Sequence, residues 1–181
     1  LKSKVGTGAD KARFVYLLPN FQNPTGRTMT EERRAAVAKV AAETGLPIII
    51  HTRDAEEDTA AILSDEREKG AFPALIHCFT ASRGFARTVL DLGLSISLSG
   101  IVTFKNAKEL QEIARELPIE KMLVETDSPF LAPIPHRGRP CEPAFVRDTA
   151  AFVADLRGTE LEHLANETSD NFFRLFGKAA A

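Results

Sequence analysis

Three apolar runs in this chain each lead into a side chain able to hold a metal ion. They lie in Ile48-Ile49-Ile50-His51-Thr52-Arg53, Leu75-Ile76-His77-Cys78-Phe79 and Leu123-Val124-Glu125-Thr126-Asp127-Ser128. Each run reads as a buried strand, and helix-like sequence lies between them. Repeated βα units with polar side chains at the carboxyl ends of successive strands describe one face of a (β/α) barrel. Two imidazoles and a carboxylate gathered there point to a divalent-metal hydrolase site, with His51, His77 and Asp127 as its ligands.

The remaining sequence supports the same alternation. Phe14 to Leu18 is a short buried-strand candidate, followed by a loop over Asn20 to Arg27. Thr28 and Thr30 are N-cap candidates, and Thr28 with Glu31 has capping-box spacing. A helix should follow and stop at Gly45, with a strand over Leu46 to His51. Helix over 55–69, strand over 74–79 and an amphipathic helix carrying Phe85, Val89 and Leu92 come next. Leu94 to Leu98 alternates apolar residues with serine, which places Ser95, Ser97 and Ser99 on one side of a strand. Leu110, Ile113, Ala114 and Leu117 mark another helix, and Met122 to Thr126 a fifth strand. Residues 128–143 hold five of the ten prolines and form a long stiff loop, of a kind that is usually functional. A helix ending at Gly158, a capping-box candidate at Thr159 and Glu162, and a short last helix complete the chain. Continuous Val/Ile/Leu runs fit parallel strands covered on both faces. The expected fold is α/β, a partial parallel (β/α) TIM-like barrel of about five strands, about three short of a full barrel.

Composition narrows the function. With 181 residues, 44% hydrophobic and 27% charged, the chain can bury a sizeable core. A net charge of −2 provides no global basic field for nucleic acid, so such a substrate would need a local patch or a metal. Two cysteines, Cys78 and Cys141, without CxxC spacing argue for a reducing compartment. No apolar stretch approaches a membrane span. A cytoplasmic protein is expected, and the absence of an initiator Met fits a start inside a longer reading frame.

Residues 46–177 resemble the TatD-type metal-dependent deoxyribonucleases. The resemblance is carried by Leu46-Pro47-Ile48-Ile49-Ile50-His51-Thr52-Arg53-Asp54-Ala55, Ile76 to Thr80, Leu98 to Asn106, Val124 to Pro133, Pro135-His136-Arg137-Gly138, Glu142 to Val146, and Asn171 to Gly177. It implies a TIM-like barrel that hydrolyses phosphodiesters of DNA with up to two divalent metals, Mg, Mn or Zn. It also implies that His51 and His77 ligate one metal, and that Asp127 ligates the other and serves as general base. The family pattern adds a His-x-His and a bridging Glu on earlier strands. This chain has neither there, so at most one metal and impaired activity are expected. Arg53 and Arg137, with Arg139, are candidates for substrate phosphates, and solvated surface arginines satisfy the same pattern.

Residues 1–45 instead resemble fold-type I pyridoxal-phosphate aminotransferases, through Phe14 to Arg27 with its Asn23-Pro24-Thr25-Gly26. Asn23 is there the cofactor-contacting position, but no Schiff-base lysine motif follows, so PLP binding is not expected. The combination reads as a chimera joined near Gly45–Ile50, with 46–181 as the TatD-like part and one structural domain overall. The alternative function is an inactive barrel fragment that binds metal weakly. Cys78 reads as a buried strand residue and His163 as a surface one. A partial barrel leaves two open strand edges, which favours a homodimer. The alternative is a cover formed by the 128–143 loop and the C-terminal helices.

Overall fold

The computed structural model describes residues 12–17 and 29–179. The Asn20–Arg27 loop, Asn23 and Thr28 lie outside these residues. Five strands form one parallel sheet in chain order: β1 (Val15–Leu17), β2 (Ile48–Ile50), β3 (Ala74–Ile76), β4 (Ser95–Leu98) and β5 (Met122–Val124). The crossovers hold α1 (Glu31–Thr44), α2 (Glu56–Lys69), α3 (Arg83–Asp91) and α4 (Lys108–Glu116). Helices α5 (Val146–Arg157) and α6 (Leu161–Leu175) follow the last strand. Every strand pairs with its sequence neighbour, Tyr16 opposite Ile49, Ile49 opposite Leu75, and Ser97 opposite Leu123. Among the described residues, no helix is long and apolar enough to cross a membrane.

Strand periodicity sorts side chains into two layers. Ile48, Ile50, Ala74, Ile76, Ile96, Leu98 and Met122 join the main core beneath the helices, with Val37, Leu63, Val89, Ile113 and Val153 from the helix faces. The alternate residues Ile49, Leu75 and Leu123 form a second cluster on the opposite face, with Leu175 and Phe176. Phe176 is 6% exposed there, and its ring meets Phe14 edge-on at 6.2 Å. The end of α6 thus covers part of the inner face of the sheet.

The helices end where the backbone chemistry dictates. Gly45 and Gly158 take left-handed φ of 66° and 64°, which a Cβ would disfavour, and close α1 and α5. Arg157 donates to the carbonyls of Ala114 and Leu117 at 2.6 and 2.9 Å, satisfying groups that the end of α4 leaves without helical partners. Asn171 donates to Ile119 and Met122 carbonyls at 2.6 and 2.9 Å and ties α6 to the start of β5.

Four expectations need correction. The regular strands stop at Ile50, Ile76 and Val124 rather than at His51, Phe79 and Thr126. Isolated ladder bonds continue past those ends, as His77 N–H donates to Ile50, Phe79 N–H to Ser97 and Glu125 N–H to Leu98, each at 3.0 Å. Cys78 then turns to φ 49°, so it lies past its strand rather than within it. The Thr159–Glu162 capping box does not form. Thr159 N–H closes α5 by donating to Ala154 at 3.0 Å, and α6 starts at Leu161 with no side-chain cap bond. The last helix, 15 residues long, is not short.

Gly100, after β4, sits where the 131–133 segment crosses. A Cβ there would collide with the Leu131 carbonyl oxygen and lie 2.8 Å from Pro133 N. Both obstacles are backbone and cannot rotate away. Gly100→Ala should therefore destabilise the fold by about 1–3 kcal/mol, the usual cost of overpacking. Gly177→Ala, with nothing within 4 Å of its Cβ position, should stay within about 0.5 kcal/mol of wild type. Denaturant unfolding of both variants checks the contrast, and equal stabilities would refute the close-approach account.

Candidate metal centre

The inner face of the sheet continues past the strand ends. Counting in twos from Ile49, Leu75 and Leu123 reaches His51, His77, Glu125 and Asp127. The same period along β4 gives Ser95, Ser97 and Ser99. The candidate site is therefore the polar upper extension of the inner apolar cluster.

Three hydrogen bonds link these residues in series. Ser97 Oγ–H donates to Glu125 Oε2 at 2.6 Å. Glu125 Oε1 lies 2.8 Å from His77 Nδ1, and His77 Nε2 lies 3.1 Å from His51 Nδ1. An ionised carboxylate only accepts, so the proton of the second bond resides on His77 Nδ1. In neutral His77 the Nε2 lone pair then faces His51, whose Nδ1–H donates. When His77 is protonated the direction of that bond reverses. The ring of Tyr16 stands edge-on to His77, centroids 5.8 Å apart.

Burial and neighbouring charge set the proton affinities. His51 is held below the usual histidine range, first by burial and then by His77 and Arg53. Burial alone would lower His77 too, but the Glu125 hydrogen bond and the charges of Glu125 and Asp127 outweigh it and leave His77 raised. Asp127 is raised by burial and by Glu125, against the opposing pull of the two imidazoles and Arg53. Asp127 thus lies within electrostatic reach of both rings. The Cys78 thiol is pushed up to about 12, chiefly by burial, and pairs with Ser99 Oγ at 3.1 Å. It is no nucleophile at neutral pH.

The two imidazole nitrogens have the spacing of ligands to one metal ion. Two nitrogens on one zinc at the usual bond length of about 2.0–2.1 Å, set at tetrahedral angles, stand roughly 3.3 Å apart. The observed 3.1 Å between His51 and His77 fits that spacing, and a carboxylate behind a ligating histidine is the usual support. Among the described residues, however, no group of three or more His, Cys, Asp or Glu side chains is arranged to hold an ion. The described residues present an imidazole pair with Asp127 within electrostatic reach.

Of the other candidates, Arg53 is exposed beside His51. Arg137 is exposed, with its guanidinium 4.5 Å above the Phe104 ring. His136 bonds Asp148 at 3.0 Å and stacks on Phe145, a structural use. His163 is exposed. Glu125 was not expected as a functional residue. It occupies the inward position between Leu123 and Asp127, so strand periodicity carried the signal.

Comparisons with known proteins identify relatives of this chain. The profile of the family described as TatD related DNase matches residues 18–177. YcfH of Escherichia coli (strain K12), named an uncharacterized metal-dependent hydrolase, is 46% identical over 159 residues, 88% of this chain and 60% of YcfH. The 3'-5' ssDNA/RNA exonuclease TatD of Klebsiella pneumoniae is 37% identical, over 87% of this chain and 60% of that protein. The crystal structure of YjjV, a TatD homolog from Escherichia coli K12, superposes with a TM-score of 0.74 at 23% identity, covering 90% of this chain and 62% of that one. The chain thus spans about 60% of the length of the curated relatives YcfH and TatD. The aminotransferase-like reading of residues 1–45, and the chimera built on it, gain no support. The family match begins at residue 18 and runs across the expected junction. The reason is physical: a strand, a helix, Gly45 and a second parallel strand form a generic βα unit that both families use.

The charge balance around His77 has a measurable consequence in the metal-free protein. A folded-state value raised above the unfolded 6.5 means that protonated His77 contributes stability that is fully present below about pH 6.5. That contribution is lost as pH rises through the folded value. Glu125→Gln removes the opposing charge and leaves burial dominant, so the His77 titration should move downward. An NMR titration of the imidazole protons reads this directly, and an unmoved midpoint would show that Glu125 does not control His77.

Proposed function

The chain belongs to the TatD-related DNase family, and from that premise we propose that it carries the imidazole half of a divalent-metal phosphodiesterase site acting on nucleic acid. The observation that carries this reading is the His51–His77 pair, 3.1 Å apart and braced by Glu125. His51 Nδ1 and His77 Nε2 would hold one ion, Mg, Mn or Zn. Such an ion supplies an acidified water and a Lewis acid for the phosphodiester. Glu125 keeps the His77 proton on Nδ1 and so leaves Nε2 free to ligate.

Asp127 is the proposed acceptor for the proton of the attacking water. Its raised proton affinity suits a base better than an ordinary surface carboxylate would. Arg53, exposed beside His51, is the proposed phosphate contact. Arg137, already engaged with Phe104, would reach phosphate only along the rim. The names of the relatives favour a DNA or RNA strand as substrate.

With two imidazoles and no complete cage among the described residues, metal binding should be weak and turnover low. Loss of groups that merely support metal ligands costs roughly 10–100-fold in affinity or activity, and loss of ligands should cost more. Cleavage of a fluorescent single-stranded oligonucleotide with added Mn²⁺ should thus be slow, metal-dependent and abolished by His77→Ala. Cleavage that survives that substitution would sink the proposal. The same oligonucleotide cleaved at the rate of an intact relative would remove the impairment.

Self-association is a separate proposal. Strands β1 and β5 are the outer strands of the sheet. Phe14 and Tyr16, each 49% exposed, line the first strand, and Phe172 and Phe173 lie near the second. Strand edges that have no partner among the described residues, beside exposed aromatic rings, favour a dimer. Light scattering at high concentration should give twice the 19.8 kDa chain mass; a monomer mass would exclude it.

A further inference from the structure

We infer that Ser97 is a positioning residue of this site, holding the Glu125 carboxylate so that His77 presents Nε2 toward His51. The inference rests on the metal reading of the histidines for its affinity arm, and on hydrogen-bond geometry alone for its spectroscopic arm.

Ser97 sits in the centre of β4, 1% exposed and opposite Leu123 in the ladder. Its flanking residues Ile96 and Leu98 point into the helix-side core. A hydroxyl so buried must find a partner, because leaving it unpaired costs desolvation without return. It finds Glu125 Oε2 at 2.6 Å, the shortest link in the series that ends at His51.

That bond fixes a torsion that little else restrains. The terminal torsion of a glutamate is broad, so a carboxylate held at one oxygen alone can pivot. Ser97 holds Oε2 from the strand while His77 Nδ1 binds Oε1. With both oxygens engaged, the carboxylate plane is set, and with it the direction of the His77 ring. The two other serines of the inward row are placed differently. Ser99 Oγ pairs with the Cys78 thiol, and Ser95 begins the strand, remote from the carboxylate end.

The test compares Ser97→Ala, Ser97→Thr and Ser95→Ala with the wild-type chain. In metal-free protein at alkaline pH, where the imidazoles are neutral, ¹⁵N–¹H spectra should show a protected His77 Nδ1–H proton. Ser97→Ala should broaden or remove that resonance by solvent exchange; Ser97→Thr, which keeps the hydroxyl, should restore it, and Ser95→Ala should leave it intact. Zn²⁺ titrated calorimetrically should bind Ser97→Ala roughly 10–100-fold more weakly than wild type, the usual cost of losing support behind a ligand. Thermal melting of each variant separates this from unfolding. An unchanged Nδ1–H resonance in folded Ser97→Ala overturns the inference, as does an equal loss in Ser95→Ala, which would mark general loosening of β4. If His77→Ala leaves Zn²⁺ binding untouched, the metal reading fails, and the Nδ1–H resonance alone decides the role of Ser97.

Discussion

Everything at the candidate site depends on the register of one parallel sheet. Ile49 faces Leu75, and Ser97 faces Leu123. Because side chains alternate with a period of two, a slip of one residue would exchange the two faces of a strand. A slip of β3 would send His77 toward the helices and bring Ile76 or Cys78 inward. Register is enforced from both sides. Ile48, Ile50, Ile76, Ile96 and Met122 bury under the helices, while Ile49, Leu75 and Leu123 bury against Phe176. Neither set can change face without exposing apolar surface, so the cores that stabilise the fold also aim the polar residues above them.

The site inherits its electrostatics from that placement. His51 and His77 share a surface, a hydrogen bond and partial burial, yet their proton affinities move apart. One has a carboxylate behind it, and the other has an imidazole and a guanidinium for neighbours. Such divergence turns two identical side chains into partners with different roles. It arises from Glu125, which is invisible as a ligand but central as a support. Ser97 extends the same logic one residue deeper into the sheet, where its buried hydroxyl lies between the core residues Ile96 and Leu98 in sequence.

Resemblance and physics contributed differently. The motif at residues 124–133 identified Asp127, but it left Glu125 unassigned two residues earlier. Periodicity would have found Glu125, because Leu123, Glu125 and Asp127 alternate on one face. The aminotransferase-like opening shows the opposite hazard. Strand, helix and glycine stop occur at the same spacing in many α/β proteins, so local likeness across 14–45 says little about ancestry. In the structure β1 and α1 form one more βα unit of the same sheet.

The sequence by itself determined the order of elements, the parallel class of the sheet, the stops at Gly45 and Gly158, and the positions of His51, His77 and Asp127 at strand ends. These follow from local rules: apolar runs, helical spacing, left-handed glycines and a period of two. The tertiary structure decided which polar groups meet. That His77 lies between His51 and Glu125, that Ser97 rather than Ser99 reaches the carboxylate, and that Phe176 seals the inner face all join residues 26 to more than 100 positions apart. Such contacts depend on the twist and curvature with which five strands pack side by side. No local pattern encodes them, because they are set by the sum of packing across the whole sheet.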